Sequence, residues 1–82
     1  MMRVPIVCPD FGESAVRVGV WMASEGLPVV AGEPLLDLVL PGLSWTVSAP
    51  RDGRLVQIRL QDRAPATAGE VLGWLDEVDA TP

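Results

Sequence analysis

Few side chains in this chain could do chemistry. Cys8 is its single thiol, serine hydroxyls stand at Ser14, Ser24, Ser44 and Ser48, and carboxylates gather at Asp10/Glu13 and at Asp76/Glu77/Asp79. Histidine, lysine and tyrosine are absent, which removes most groups able to move a proton near neutral pH. No serine has a His or Lys base to pair with, so nucleophilic catalysis is disfavoured. Cys8 falls on the apolar side of the alternating segment Val4, Ile6, Cys8, as a small buried hydrophobe rather than a reactive thiol. Neither acidic group has the ligand density or glycine spacing of a calcium loop, and a solvated acidic face accounts for both. No glycine-rich phosphate loop is present. The chain reads as a non-enzyme with no catalytic and no metal-binding residue.

The elements that position these residues are short. The 82 residues suit one domain with a modest core, near the size at which a single core is only just sufficient. Hydrophobic residues make up 49% and charged residues 21%, the balance of a globular protein. Net charge is −5, and the basic residues Arg3, Arg17, Arg51, Arg54, Arg59 and Arg63 are scattered. That argues against nucleic acid and against an anionic membrane, both of which need a basic stripe. The opening segment is too short and too interrupted by Pro5 for a signal peptide, and no apolar run reaches the roughly 18 residues of a membrane span. A lone cysteine calls for no oxidising compartment. The expectation is a soluble, cytoplasmic protein.

Prolines and glycines, eight of each, leave apolar runs without a sustained helical period. This predicts an all-β chain with strands at Arg3–Cys8, Ala15–Met22, Leu35–Leu40, Ser44–Ala49, Arg54–Leu60 and Val71–Leu75, and short extended pieces near Val29–Val30 and Ala66–Thr67. A core over about residues 3–76 leaves 77–82 as an acidic, flexible tail. An internal repeat organises the whole. Pro28 to Leu38 matches Pro65 to Leu75 at a constant offset of 37 residues, with identities at Pro, Ala, Gly, Glu, Leu and Leu. Two units are too few for a solenoid, whereas two small sheets related by a pseudo-two-fold axis bury their apolar faces against each other.

The ordered motifs resemble the lipoyl/biotinyl carrier domain family, in particular the lipoyl domains of 2-oxo acid dehydrogenase acyltransferases. Pro9-Asp10-Phe11-Gly12-Glu13-Ser14 is similar to that family's P-D-(L/I/F)-G-E-S opening. Trp21 stands where its second strand usually ends, and Gly26 to Gly32 resembles its G-D-x-V-x-x-G turn. Ala49-Pro50-Arg51-Asp52-Gly53 resembles A-P-x-D-G, and Ala68 to Leu72 its closing V-G-Q-x-L. The match runs without a gap from about Ile6 to Asp76. The resemblance implies a flattened barrel (a barrel-sandwich hybrid) of two four-stranded sheets with pseudo-two-fold symmetry. It also implies a hairpin whose lysine, within E-T-D-K-A, carries lipoate by an amide bond, in partnership with components of a 2-oxo acid dehydrogenase-type complex.

The departures from that pattern concentrate at the hairpin. Counted back from Pro50, E-T-D-K-A-S falls on Val39-Leu40-Pro41-Gly42-Leu43-Ser44, so Gly42 takes the lysine position while Val39 and Pro41 replace the acidic flanks. No cofactor can then be carried on lysine. The family's second G-D has become Arg63-Ala64, which suggests a relaxed constraint on that turn. Pro41-Gly42 suits a type II turn, but two-residue hairpins favour types I′ and II′, so a four-residue loop from Leu40 to Leu43 is expected. Leu36/Val47 and Leu38/Trp45 should share one face of the hairpin, and Asp37/Thr46 and Val39/Ser44 the other. Trp21 and Trp74 are expected to anchor the core edge with their N–H groups at the rim. Trp45 either packs inward or forms an exposed apolar patch with Leu40 and Leu43. Leu40, Pro41, Gly42, Leu43 and Trp45 are the candidate contact residues for a protein partner or a second copy. The function expected is a non-catalytic binding or structural module. The alternative is an acyl or carboxyl carrier with a non-standard attachment residue.

Overall fold

β-branched and aliphatic residues alternate with polar ones between closely spaced turn residues, so the chain forms short strands. The computed structural model describes residues 2–77. The strands are β1 (Arg3–Val7), β2 (Val16–Trp21), β3 (Pro28–Val29), β4 (Pro34–Leu40), β5 (Leu43–Ser48), β6 (Gly53–Ile58), β7 (Pro65–Ala66) and β8 (Val71–Glu77). They make two four-stranded antiparallel sheets, ordered β1-β8-β6-β3 and β5-β4-β2-β7. Between the sheets Leu35, Leu36, Leu38, Leu55, Leu72 and Leu75 are fully buried. Each expected strand is present within two residues of its expected start and within two of its end, and β8 runs through Glu77. Glu77 therefore belongs to the sheet rather than to a tail. It pairs with Gly53 and its carboxylate meets Arg51. The rest of the expected tail, 78–82, lies outside the described residues.

The repeat governs the architecture. β2, β3 and β4 recur as β6, β7 and β8 at the same displacement, from 16 to 53, 28 to 65 and 34 to 71. β2 and β6 share one burial pattern, as do β3 and β7. Turn hydrogen bonds repeat as well. Glu33 accepts from the Val30 N–H at 3.1 Å, and Glu70 accepts from the Thr67 N–H at 3.0 Å. The N–H at the end of β2, on Trp21, donates to Asp62, and its counterpart on Ile58 donates to Glu25. Arg17 donates to the Arg63 carbonyl as Arg54 does to that of Gly26.

Two positions show where equivalence of backbone overrides identity of side chain. Gly26 has φ +89°, and Arg63, its counterpart, has φ +72°. The turn has kept its conformation, which corrects the expectation of a relaxed constraint. The N–H of Leu27 donates to the Ser24 carbonyl and that of Ala64 to the Gln61 carbonyl, so residues 26 and 63 hold the same third position of a turn, where a left-handed backbone brings the next N–H back to close it. At Gly73 a Cβ would lie 2.7 Å from the Gln57 carbonyl oxygen and 3.1 Å from the Trp21 ring. Trp21 therefore crosses the core onto a position without a side chain, and its Nε1–H donates to the Leu60 carbonyl at 2.7 Å. Trp74 does not share that role. It sits opposite Pro5 and Gln57 and outside the core cluster, because the alternation that buries Leu75 turns its neighbour outward.

Relief of the left-handed arginine should be measurable. Arg63→Gly is expected to stabilise the domain by about 0.5–1 kcal/mol, the left-handed penalty less the glycine entropy cost. Thermal unfolding should show a raised midpoint, and a lowered one would mean that the arginine side chain contributes more than its backbone costs. A second prediction concerns acid. The Thr67 N–H, and then Arg59, hold the Glu70 carboxyl below its ordinary value of 4.5. Its stabilising contribution is therefore present above that value and is lost as pH falls through the lowered one. Glu70→Gln should flatten that part of the acid-unfolding curve, and an unchanged acid limb would show the cap to be inert.

Candidate interaction surface at the hairpin end

β4 and β5 form a hairpin with five consecutive pairs from Leu36–Val47 to Leu40–Leu43. The facing pairs are those expected from the alternation. The loop is shorter than expected: Leu40 and Leu43 pair directly, leaving Pro41-Gly42 as a two-residue turn. Gly42 has φ +73°, the sign a type II turn needs after a proline locked at negative φ. The five pairs hold the strands together up to the turn, which offsets the mismatch of twist that disfavours this turn type in hairpins.

The tip lies at the end of the molecule opposite to the start of β1 and the end of β8. β2 runs away from it, since Arg17 faces Val39 and Trp21 faces Leu36. Its continuation then reaches β3, which pairs with Gly53 and Arg54 of β6, beside Asp76 and Glu77 of β8. Arg3 pairs with Asp76 at that same far end.

Burial divides the apolar residues of the tip by strand. Leu40 is only 7% exposed, whereas Leu43 directly opposite is 54% exposed. Leu38 is fully buried, and Trp45 opposite it is 48% exposed. Leu40 is thus core, which removes it from the expected patch. β4 lies inside its sheet and β5 at the edge, so the same face is covered on one strand and open on the other. Pro41, Gly42, Leu43 and Trp45 remain exposed. Phe11, on the loop after β1, packs against Trp45 edge to face, with ring centroids 5.6 Å apart. Nothing in the alternation of the hairpin pointed to Phe11, because this contact joins segments far apart in the chain.

The described carboxylates among the groups first considered for chemistry have structural partners. Asp10 accepts from the Gly12 N–H, and Glu13 from those of Ser14 and Ala15. Asp76 meets Arg3 and Glu77 meets Arg51, while Asp79 lies outside the described residues. Cys8 is buried, with its N–H on the Glu70 carbonyl. Burial, with the nearby Glu70 and Asp10 carboxylates, pushes its thiol pKa up. Among the described residues no helix is long and apolar enough to cross a membrane.

Searched against family models, the chain matches none. Over 96% of its length it superposes on the solution structure of the lipoyl domain of the 2-oxoglutarate dehydrogenase complex from Azotobacter vinelandii. The TM-score is 0.74, with 22% identity and all of that chain covered. The chain is 35% identical over 78 residues, 93% of its length, to the dihydrolipoyllysine-residue succinyltransferase component of the 2-oxoglutarate dehydrogenase complex of Rickettsia felis. This chain is a lipoyl-type domain. It is also 35% identical over 71 residues to the dihydrolipoyllysine-residue acetyltransferase component of the acetoin cleaving system of Cupriavidus necator. The lipoyl-type domain spans about a fifth of these relatives, 20% and 17% of their respective lengths.

The division of the tip into core and surface predicts unequal substitutions. Leu40→Ala should destabilise the domain by about 2–3 kcal/mol, as a buried leucine does. Leu43→Ala and Leu43→Asp should change stability by about 0.5 kcal/mol or less. Urea unfolding of the three variants checks this, and equal losses at the two leucines would place Leu43 in the core.

Proposed function

We propose that this lipoyl-type domain carries no lipoyl or biotinyl group on lysine. It acts instead as a non-catalytic module that makes protein contacts through its hairpin end, within an assembly of 2-oxo acid dehydrogenase type. The observation that carries this reading is the hairpin turn itself. Gly42 stands at the tip with φ +73°, at the place that the family pattern gives to lysine, and the chain contains no lysine at all. An amide-linked swinging group needs a primary amine on an exposed tip. The six basic residues are all arginines, and a guanidinium stays protonated in proteins and is no acyl acceptor.

The flanks support the same reading. Val39 and Pro41 stand where the family pattern has carboxylates, and both are exposed beside the turn. Leu43 and Trp45 present apolar surface instead, and burying such side chains against a partner contributes roughly 1.5–3 kcal/mol each. Pro41 stiffens the loop and lowers the entropy lost on contact. The relatives' membership of the 2-oxoglutarate dehydrogenase complex and of the acetoin cleaving system supports the kind of assembly proposed. One buried cysteine, which asks for no oxidising compartment, supports a cytoplasmic setting.

Intact mass after co-expression with lipoyl and biotin ligases tests the proposal. The wild type should gain no mass, and neither should Gly42→Lys, since Val39 and Pro41 still withhold the acidic flanks. Gly42→Lys combined with Val39→Glu and Pro41→Asp should be modified. Added mass on the wild type would overturn the proposal in favour of a carrier with a non-standard attachment residue. Efficient modification of Gly42→Lys alone would show that the flanks are not read.

A further inference from the structure

The sheet edges are not protected alike. An edge strand offers unpaired N–H and C=O groups, which proteins blunt with short strands, charges or proline. Among the described residues β3 and β7 are two residues long, and β1 carries Arg3 and Pro5. β5 occupies in its sheet the place of β1 in the other and has none of these devices. Its six residues, Leu43–Ser48, include no charge, proline or glycine, and all but Val47 are exposed.

The hairpin decides which backbone groups face outward. In a two-residue hairpin the closing pair, here Leu40–Leu43, is hydrogen-bonded, and pairs then alternate along the ladder. The backbone N–H and C=O groups of Ser44 and Thr46 therefore point away from β4. These groups flank a palindrome. Outward from Trp45 the chain reads Ser44 and Thr46, hydroxyl residues on the outer face, then Leu43 and Val47, apolar residues on the inner face. An isologous contact requires such self-complementarity, because each residue meets its reflection about the axis.

The geometry points to a second copy of this chain as the occupant of the β5 edge, paired antiparallel about a two-fold axis through Trp45. This rests on the reading of the hairpin end as a contact surface and names the partner. Trp45 of one copy faces Trp45 of the other in a non-hydrogen-bonded pair. Leu43 faces Val47 on either side of it, and Ser44 faces Thr46 in hydrogen-bonded pairs. Aromatic pairs and Ser/Thr pairs are both favourable across strands. The Phe11 ring already holds the Trp45 side chain, so little rotamer freedom is lost on association. Because the remaining edges are blunted or short, assembly stops at two copies. A seam of five residues buries less than the roughly 1,200 Å² of a standard interface, so the dimer is weak and concentration-dependent. Each copy carries −5, and salt should strengthen it by screening.

Sedimentation equilibrium over a range of protein concentration and salt should show the wild type passing from monomer to dimer. Thr46→Pro removes an N–H that points away from β4, so it should weaken association at least about tenfold while sparing the intramolecular ladder. If that variant is unfolded, Trp45→Arg, which sets two guanidinium groups face to face at a half-exposed site, should abolish the dimer instead. Register is tested by mild oxidation of Leu43→Cys and Val47→Cys. A mixture of the two should cross-link, and neither should do so alone, since like positions lie about 13 Å apart at the strand rise. A wild type that stays monomeric at every concentration and salt, or cross-linking that does not depend on mixing, would overturn the proposal. In that event an unmodified mass would leave the contact reading standing. A mass increase on the wild type would remove that reading whatever the oligomeric state.

Discussion

Each sheet of this domain takes its centre from one half of the chain and its edges from the other. β8 and β6, from the second half, lie between β1 and β3 of the first, while β4 and β2 lie between β5 and β7. A two-stranded centre without its edges is marginal in water, so neither half completes a sheet until the other is in place. The apolar faces then close on one another, and the buried leucines of β4 and β8 gain their cover only from the opposite sheet. Every local feature, from the carboxylate-capped turns to the exposed tip, depends on this interleaving.

The pseudo-symmetry also shows where the two halves have been allowed to differ. At one pair of equivalent places Trp21 lies over Gly73, while their counterparts are Ile58 and Leu36. The volume added on one side is removed from the other, as dense packing demands. At another, a glycine and an arginine share one left-handed conformation, because the same turn hydrogen bond closes around that residue in both halves. The largest difference is at the ends of the long strands. β8 ends beside the start of the described chain, and β4 turns at Pro41-Gly42 into an edge strand that has kept neither charge nor proline.

That edge strand is the feature most open to contact. The tip itself is a proline-glycine turn backed by Leu40 in the core and by a tryptophan held against Phe11. The charge of the chain lies elsewhere, in carboxylates that cap turns and pair with arginines, and β5 has no charged group to desolvate on contact.

Much of this was legible in the residues alone. Period-two alternation between turn residues marked every strand, and the repeat at 37 residues marked the pairing of halves, because both are consequences of local backbone geometry and of the need to bury one face. The facing pairs of the hairpin followed from the same alternation. The sequence could not separate Leu40 from Leu43, or Leu38 from Trp45, since each pair shares a face and a height in the sheet. Only strand order distinguishes them, by placing β4 inside and β5 at the edge, and strand order depends on contacts between distant segments. The left-handed Arg63 and the contact of Phe11 with Trp45 also became visible only in the folded chain. The residues determined which face each side chain takes, and the tertiary structure decided which faces are covered, because cover comes from a neighbouring strand or loop that local pattern does not specify.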